Sequence, residues 1–483
     1  MSNVPRALVA LAVLAAALGA ALAVGTPTAL RPPPAPPPSF VGGIHITEHD
    51  LDGYADALLA AGLDSLQITV YAAQPLWNSP RLRFDPDAES DITSLARAAR
   101  RAGLATVLVL RVYLEHGATP NQHLWHGMIW PPEDALDRWF ARYTAFATWA
   151  ADLAQREGID VLVVGNELNS MTSTTPIDAV PSPLDYFLAP ERQARVRDDL
   201  LDCAETVNDP AFKDDLRWAD GTTYDDLASA LGAADALRHQ WARRALFPDD
   251  PKVADPAAAL PAAIDRLNAR RARLDASWRS TIDAVRGIYD GTLAYGANFD
   301  QYDQVGFWDA LDAVGVTAYF PLSRYGDQGA DLDARLDASW RAVAADLQAV
   351  ADKPIYLLEL GWTRRRGATV RPWSYGRVDV LETDQPPPEP GAAVPLECVH
   401  WASQEATDEE RRRALASLAR VTGEGAFPNL RGVHLWKLST DPDHAAIEPF
   451  AVILGSEDDA PYLSTAAALG RSLRPHPGSG RYH

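Results

Sequence analysis

Cysteine is almost missing from this chain: Cys203 and Cys398 are the two in 483 residues. No Cys-x-x-C occurs, so no cysteine-based zinc site is expected, and geometry alone decides whether the two pair. Positive charge is also scarce. Lys+Arg total 44 against Asp+Glu 65, a formal net charge of −21. Such a surface repels nucleic acid and anionic membranes and suits neutral or cationic partners. No Gly-x-Gly-x-x-Gly follows the first apolar strand, which removes the main argument for a nucleotide site. A Gly-x-Ser-x-Gly elbow is absent, which weakens a serine-esterase reading. Internal repeats of short period are missing as well. None of these patterns calls for a cofactor or a metal.

What remains is an ordinary globular balance, 47% hydrophobic and 23% charged. Long apolar runs are confined to the start, where Arg6 precedes residues 7–24 and Ala21-Leu22-Ala23 offers a cleavage site. Residues 1–24 read as an export signal, with an uncleaved membrane anchor as the alternative. Residues 25–39 form a proline-rich linker. Either reading expects a protein outside the cytoplasm, whether secreted, periplasmic or membrane-anchored.

From residue 40 to about 475, strand and helix patterns alternate. Candidate strands cover 41–47, 65–72, 106–114, 161–168, 293–299, 313–320, 354–362 and 430–439. Helical patterns lie between them, among them 50–61, 91–103, 133–157, 277–291, 333–351 and 407–421. Residues 363–403 read as a loop. Residues from about 171 to 273 break the alternation and read as a mainly helical insertion after strand four. Eight valine-rich strand–helix units predict a closed (β/α)8 TIM barrel rather than an open sheet.

Two of these strands end alike. "VLVVGNELN" stops at Glu167 and "PIYLLELGW" carries Glu359, each glutamate two residues from a glycine. A carboxylate at the end of a buried barrel strand is costly to place there without partners, and barrel enzymes keep their chemistry at that face. Strands four and seven face each other across the mouth, so the fold can bring together two residues far apart in sequence. Paired carboxylates are what glycosidic cleavage needs: an acid for the leaving oxygen and a second carboxylate at the anomeric carbon.

With those residues, the chain resembles the retaining (β/α)8 glycoside hydrolase clan. Residues 291–323, "GTLAYGANFDQYDQVGFWDALDAVGVTAYFPLS", are similar to the fifth-to-sixth-strand region of glycoside hydrolase family 113, which contains β-1,4-mannanases. The likeness runs from about residue 141 to Glu167, skips the insertion, and resumes from Trp278 to Trp436. It implies that Glu167 is the acid/base and Glu359 the nucleophile. It further implies that Asn166 binds the sugar 2-hydroxyl and that Tyr319 holds Glu359 ionised and aimed. Family members more often carry a small residue at the position of Asn166, a departure that bears on the sugar more than on the hydrolysis.

Fourteen tryptophans suit a saccharide groove, since sugar rings stack on indoles. Trp436 and Trp362, which follow strands eight and seven, are the candidate platforms; Trp139, Trp149 and Trp278 lie on helices and are assigned to packing. His45, Gln67, Tyr71, Arg111 and Asn298 are candidates for the barrel mouth, and Gln404 for substrate contact. His45-Ile46-Thr47-Glu48-His49 matches H-x-x-E-H, but that zinc motif needs a helix and here runs off a strand. The expected partner is a polysaccharide or oligosaccharide, with β-mannan first. The alternative is a barrel that binds or remodels envelope saccharide without hydrolysing it.

Overall fold

In a computed structural model that describes residues 37–115, 119–121, 124–174, 227–327, 329–374, 378–382 and 396–474, the apolar runs become parallel strands. They are β1 (Phe40–His45), β2 (Ser65–Gln74), β3 (Ala105–Leu114), β4 (Val161–Asn166), β5 (Thr292–Asn298), β6 (Ala313–Thr317), β7 (Ile355–Leu360) and β8 (Leu430–Ser439). Each pairs in parallel with the next, and β1 pairs with both β2 and β8, with Phe40 opposite Gly432. The sheet is therefore closed. Every residue of β4 and β7 is buried, which is why their sequences are apolar at both parities rather than alternating.

Alternate residues build two cores. Val107, Val109, Val161, Val163, Ala294, Ala313 and Leu358 fill the barrel interior with Phe40 and Tyr356. The other parity faces the helical ring. Deep in the barrel, Phe40 stacks on Tyr356 at 5.0 Å and on His434 at 4.7 Å. Burial holds the His434 pKa down at about 3, so the ring is neutral, and its Nε2 lies 2.9 Å from Ser65 Oγ.

The longer helices among the described residues are α1 (Leu51–Ala60), α2 (Glu89–Ala102), α3 (Leu136–Glu157), α4 (Leu227–Leu246), α5 (Pro256–Arg286), α6 (Gly329–Val350), α7 (Glu409–Gly423) and α8 (Ala460–Leu473). Asp50 caps α1 through Gly53 N, and α2 and α3 end at the left-handed Gly103 and Gly158. None of the described helices is long and apolar enough to cross a membrane.

Three departures from expectation have local causes. β5 and β6 are joined without an α-helix: Tyr302–Gln304 and Trp308–Ala310 are 3-10 turns, and Phe307 and Trp308 occupy the place of a helix by packing on Tyr295. The expected helix over 277–291 is only the end of α5, which starts at Pro256 with Asp255 as its cap. The 363–403 loop contains an antiparallel ribbon, Val378–Glu382 against Leu396–His400. Cys398 on that ribbon is disulfide-bonded; Cys203, residues 1–36 and residues 175–226 of the insertion lie outside the described residues.

A buried ionic clip fastens the last helices to the barrel. Asp459 at the head of α8 is fully buried, accepts Ile453 N at 2.8 Å and Arg364 Nη2 at 2.5 Å, and pairs with the buried Arg411 of α7. Arg411 also lies over the Tyr462 ring at 5.2 Å. Removing one member leaves buried charge uncompensated, which costs about 3–5 kcal/mol. Asp459→Ala is expected to destabilise the protein by that amount in urea unfolding, and an unchanged midpoint would refute the role of the clip.

Candidate active site

β4 leaves the barrel at Gly165-Asn166-Glu167, and three aromatic side chains shape that exit. A Cβ on Gly165 would sit 2.8 Å from Tyr143 Oη, 2.9 Å from the Tyr295 ring and 3.0 Å from Trp278, so only glycine fits. Tyr143 donates to Val164 O at 2.7 Å, and Leu168 N donates to Tyr295 Oη at 3.0 Å. The register against β5 shifts between Val163 and Asn166. Glu167 then adopts φ 51°, left-handed for a residue with a Cβ, while its N–H still reaches Gly296 O at 2.8 Å. Such a conformation costs roughly 1–3 kcal/mol and persists only where surrounding contacts impose it. Gly296 also makes room for Asn166, whose Oδ1 lies 2.2 Å from where a Cβ would stand.

Glu359, on β7, comes to the same place. Arg111 of β3 bridges the pair: its Nη2 donates to Glu359 Oε1 in a very short contact and approaches Glu167 Oε2 at 3.4 Å. With one nitrogen touching both, the nearest carboxylate oxygens are no more than about 6 Å apart, so the fold brings the two acids together over one site. Glu359 also accepts from Tyr319 Oη at 3.0 Å and Asn166 Nδ2 at 3.3 Å. Glu167 accepts from Thr317 Oγ1 at 2.7 Å and lies 3.0 Å from His126 Nε2.

Two buried carboxylates beside one guanidinium share a proton. Burial pushes Glu359 up to about 7, against the pull of Arg111 and with the push of Glu167. Burial would also raise Glu167, but the His126 hydrogen bond, the charges of Arg111 and His126, and Thr317 together hold it at about 2. The coupled pair thus takes up its second proton near the lower value and releases its last near the upper one. Burial opposes the Arg111 charge, yet the two carboxylates outweigh it and keep it a cation. Tyr319 is driven far up by burial and by Glu359, so it stays a donor.

Other candidates fall into distinct groups. Trp436 is half-buried, with Arg111 at 5.2 Å and Lys437 at 4.5 Å from its ring centroid, and the Trp436–Lys437 peptide is cis. Trp362 is 1% exposed and edge-on to Trp340, so its indole offers no open face; its Nε1 is buried without a partner. His45 Nδ1, Gln67 Oε1, Asn166 Oδ1 and Asn298 Oδ1 are likewise buried and unpaired, at or below the ends of β1, β2, β4 and β5. Tyr71 is exposed at the rim. Gln404 is placed elsewhere: it bonds Tyr325 and the His400 carbonyl beside the ribbon. His45–His49 is not helical, and Glu48 is taken up by Ser439 and Thr440.

Sequence reasoning missed His126 and Thr317. Thr317 shares the parity of the interior Ala313 on β6, a signal that was present. His126 sits in a three-residue turn, His126–Met128, with no periodicity to reveal it. The insertion braces that turn: Trp241 of α4 donates to Met128 O at 2.8 Å and packs edge-on against Trp130. Arg270 of α5 lies 4.3 Å over Trp130 and donates to Pro131 O at 2.9 Å.

Residues 265–386 match the profile of Glycoside Hydrolase Family 113, which belongs to the retaining (β/α)8 clan. Among solved structures, the chain is similar to a GH113 β-mannanase from Alicyclobacillus acidocaldarius in complex with ManMIm, at 18% identity and TM-score 0.51 over 90% of this chain and 96% of that one. Two structures of GH113 β-1,4-mannanase are similar at 15% identity, with TM-scores 0.50 and 0.51 over 89% and 90% of this chain and 97% and 99% of theirs. At these identities the likeness is one of fold, and the fold is the (β/α)8 barrel. No curated protein matches the sequence.

The shared proton has a consequence for stability. In the unfolded chain both glutamates titrate near 4.5, whereas the folded pair holds its last proton up to about 7. A step raised above the unfolded value gives stability below 4.5 that is lost as pH rises to about 7. The step lowered to about 2 gives stability above 4.5 that is lost as pH falls to about 2. Glu359→Gln removes the raised step. Its stability relative to the parent is expected to rise between pH 4.5 and pH 8, read from urea midpoints. Equal stability at both values would contradict the shared proton.

Proposed function

We propose that this family-113-like glycoside hydrolase cleaves a β-linked polysaccharide with retention of configuration, through Glu167 as acid/base and Glu359 as nucleophile. β-1,4-Mannan is the first substrate. The observation that carries the reading is one arginine nitrogen in contact with two buried carboxylates from different strands, which brings the two acids to one place. The profile match supports the reaction class, and the likeness to β-mannanases supports the sugar.

In the first step, a Glu359 oxygen bonds to the anomeric carbon as the glycosidic C–O bond breaks, and Glu167 gives its proton to the leaving oxygen. In the second, Glu167 as carboxylate takes a proton from water, the water oxygen bonds to the same carbon, and Glu359 leaves. Both steps need the pair to hold one proton. Burial favours it on Glu359, while His126, Arg111 and Thr317 hold Glu167 as the anion. A neutral saccharide that dries Glu167 while Arg111 stays against Glu359 moves the proton to where the first step requires it. Asn166 Oδ1, buried and unpaired, is the acceptor free for a sugar hydroxyl.

We also place the enzyme outside the cytoplasm. The basic-then-apolar residues 1–24 support this, as does the disulfide at Cys398, a bond that persists in oxidising compartments.

Glu167→Gln and Glu359→Ala are each expected to lower kcat/KM on β-1,4-mannan at least about 10³-fold with unchanged circular dichroism. Wild-type-like turnover by either variant would sink the assignment. NMR of the reaction should show the β-anomer of the new reducing end first, while the α-anomer first would mean inversion. The pH profile of kcat/KM should be bell-shaped, with its alkaline limb near 7. His126→Ala removes a contact that keeps Glu167 low, so the acid limb should move up; an unmoved limb would exclude His126 from the titration.

A further inference from the structure

Most of the aromatic weight of this chain is hidden. Among the described residues the tryptophans are buried or half-buried, and the aromatic side chains that stand open are two tyrosines, Tyr71 at 49% and Tyr113 at 45%. They are neighbours. The rings lie 6.1 Å apart at 73°, edge to face. Their position follows from strand periodicity: along β3, Val107 and Val109 fill the barrel, Arg111 holds the carboxylates, and Tyr113 is the next residue of that parity. On β2, Tyr71 is the register partner of Arg111. The tyrosine pair is therefore the continuation of the catalytic wall, one step further out of the mouth.

A groove of about 670 Å3 opens there, within the size range of ligand sites. It runs from the two rings, His45, Thr69, Arg83, Asp85 and Glu115 to an apolar side formed by Ile68, Val70, Phe84 and, on α2, Ile92 and Leu95. His45 contributes a buried Nδ1 that has no partner in the protein. The groove thus joins two apolar ring faces to hydrogen-bonding groups, the combination that a hexose requires with its C–H face and its hydroxyl edge. Its charge selects among saccharides. Asp85, Asp91 and Glu115 outnumber Arg83, which is itself paired with Glu115, so a uronic acid would meet repulsion.

We infer that the rim over β2 and β3 is a saccharide subsite in which Tyr71 and Tyr113 stack a neutral hexose of the chain being cut. This rests on the glycosidase reading for the identity of the chain, but the groove can be tested apart from it. The variants are the double Tyr71→Ala/Tyr113→Ala and the double Tyr71→Phe/Tyr113→Phe, and the substrates are β-1,4-mannotriose and β-1,4-mannohexaose. The ratio of kcat/KM on hexaose to that on triose should fall about 10-fold in the alanine variant and stay near wild type in the phenylalanine variant, since stacking needs the ring and not the hydroxyl. Equal losses on both lengths would overturn the subsite. If the wild type cleaves neither sugar, the mannanase reading fails and the groove is judged by electrophoresis through gels containing galactomannan. Retardation of the wild type that the alanine variant loses supports the subsite; equal mobility, or no retardation of the wild type, overturns it.

Discussion

One guanidinium makes this barrel mouth possible. Glu167 and Glu359 are both buried, and two carboxylates that close in a low-dielectric site cannot both be charged without a cation between them. Arg111 supplies it from β3 and is held in turn by the Trp436 face. Burial still penalises the second negative charge, so the pair holds a single proton between about pH 2 and about pH 7. That proton is the chemical resource of the site, and everything nearby determines where it rests. Tyr319 and Asn166 point donors at Glu359, whereas Thr317 and His126 address Glu167.

The arrangement demands backbone rigidity, and the fold provides it from behind the strand. Glu167 is held in a left-handed conformation by a bracket of Tyr143, Tyr295 and Trp278 that grips the chain on either side of it. Trp278 comes from α5, the helix that begins inside the insertion, and its Nε1 donates to Met171 O at 2.6 Å. The insertion is thus structural at one end through α5 and Trp278. At the other end it is linked to the site, because α4 and Trp241 fix the turn that delivers His126. A segment that breaks the strand–helix rhythm supports both sides of Glu167.

How much of this could be read from residues alone follows from periodicity. The eight strands and the two glutamates at the ends of β4 and β7 were legible, because a buried parallel strand announces itself by apolar residues at both parities; the contact of Tyr319 with Glu359 came from the family resemblance, not from periodicity. Arg111 was visible as a lone charge in "VLVLRVYL", and its parity with Val107 and Val109 points it inward. What stayed hidden lacks periodicity. The link between β5 and β6 is made of 3-10 turns, the ribbon in the β7–α7 connection has strands of only five residues, and His126 depends on tertiary contacts with α4.

The aromatic residues mark where composition misleads and position informs. Fourteen tryptophans suggested a groove with Trp362 as one platform, yet Trp362 is sealed in the core; Trp139 and Trp278 are fully buried, in keeping with their assignment to packing. A barrel of this size has eight strands to clad with helices, and bulky rings fill the gaps where strand and helix diverge; that demand is met before any ligand is served. Among the described residues the aromatic side chains left open are tyrosines, whose hydroxyl makes exposure to water tolerable. A site that must be wet without its ligand and dry with it is better lined by such residues. The rim above Arg111 is where this chain places them.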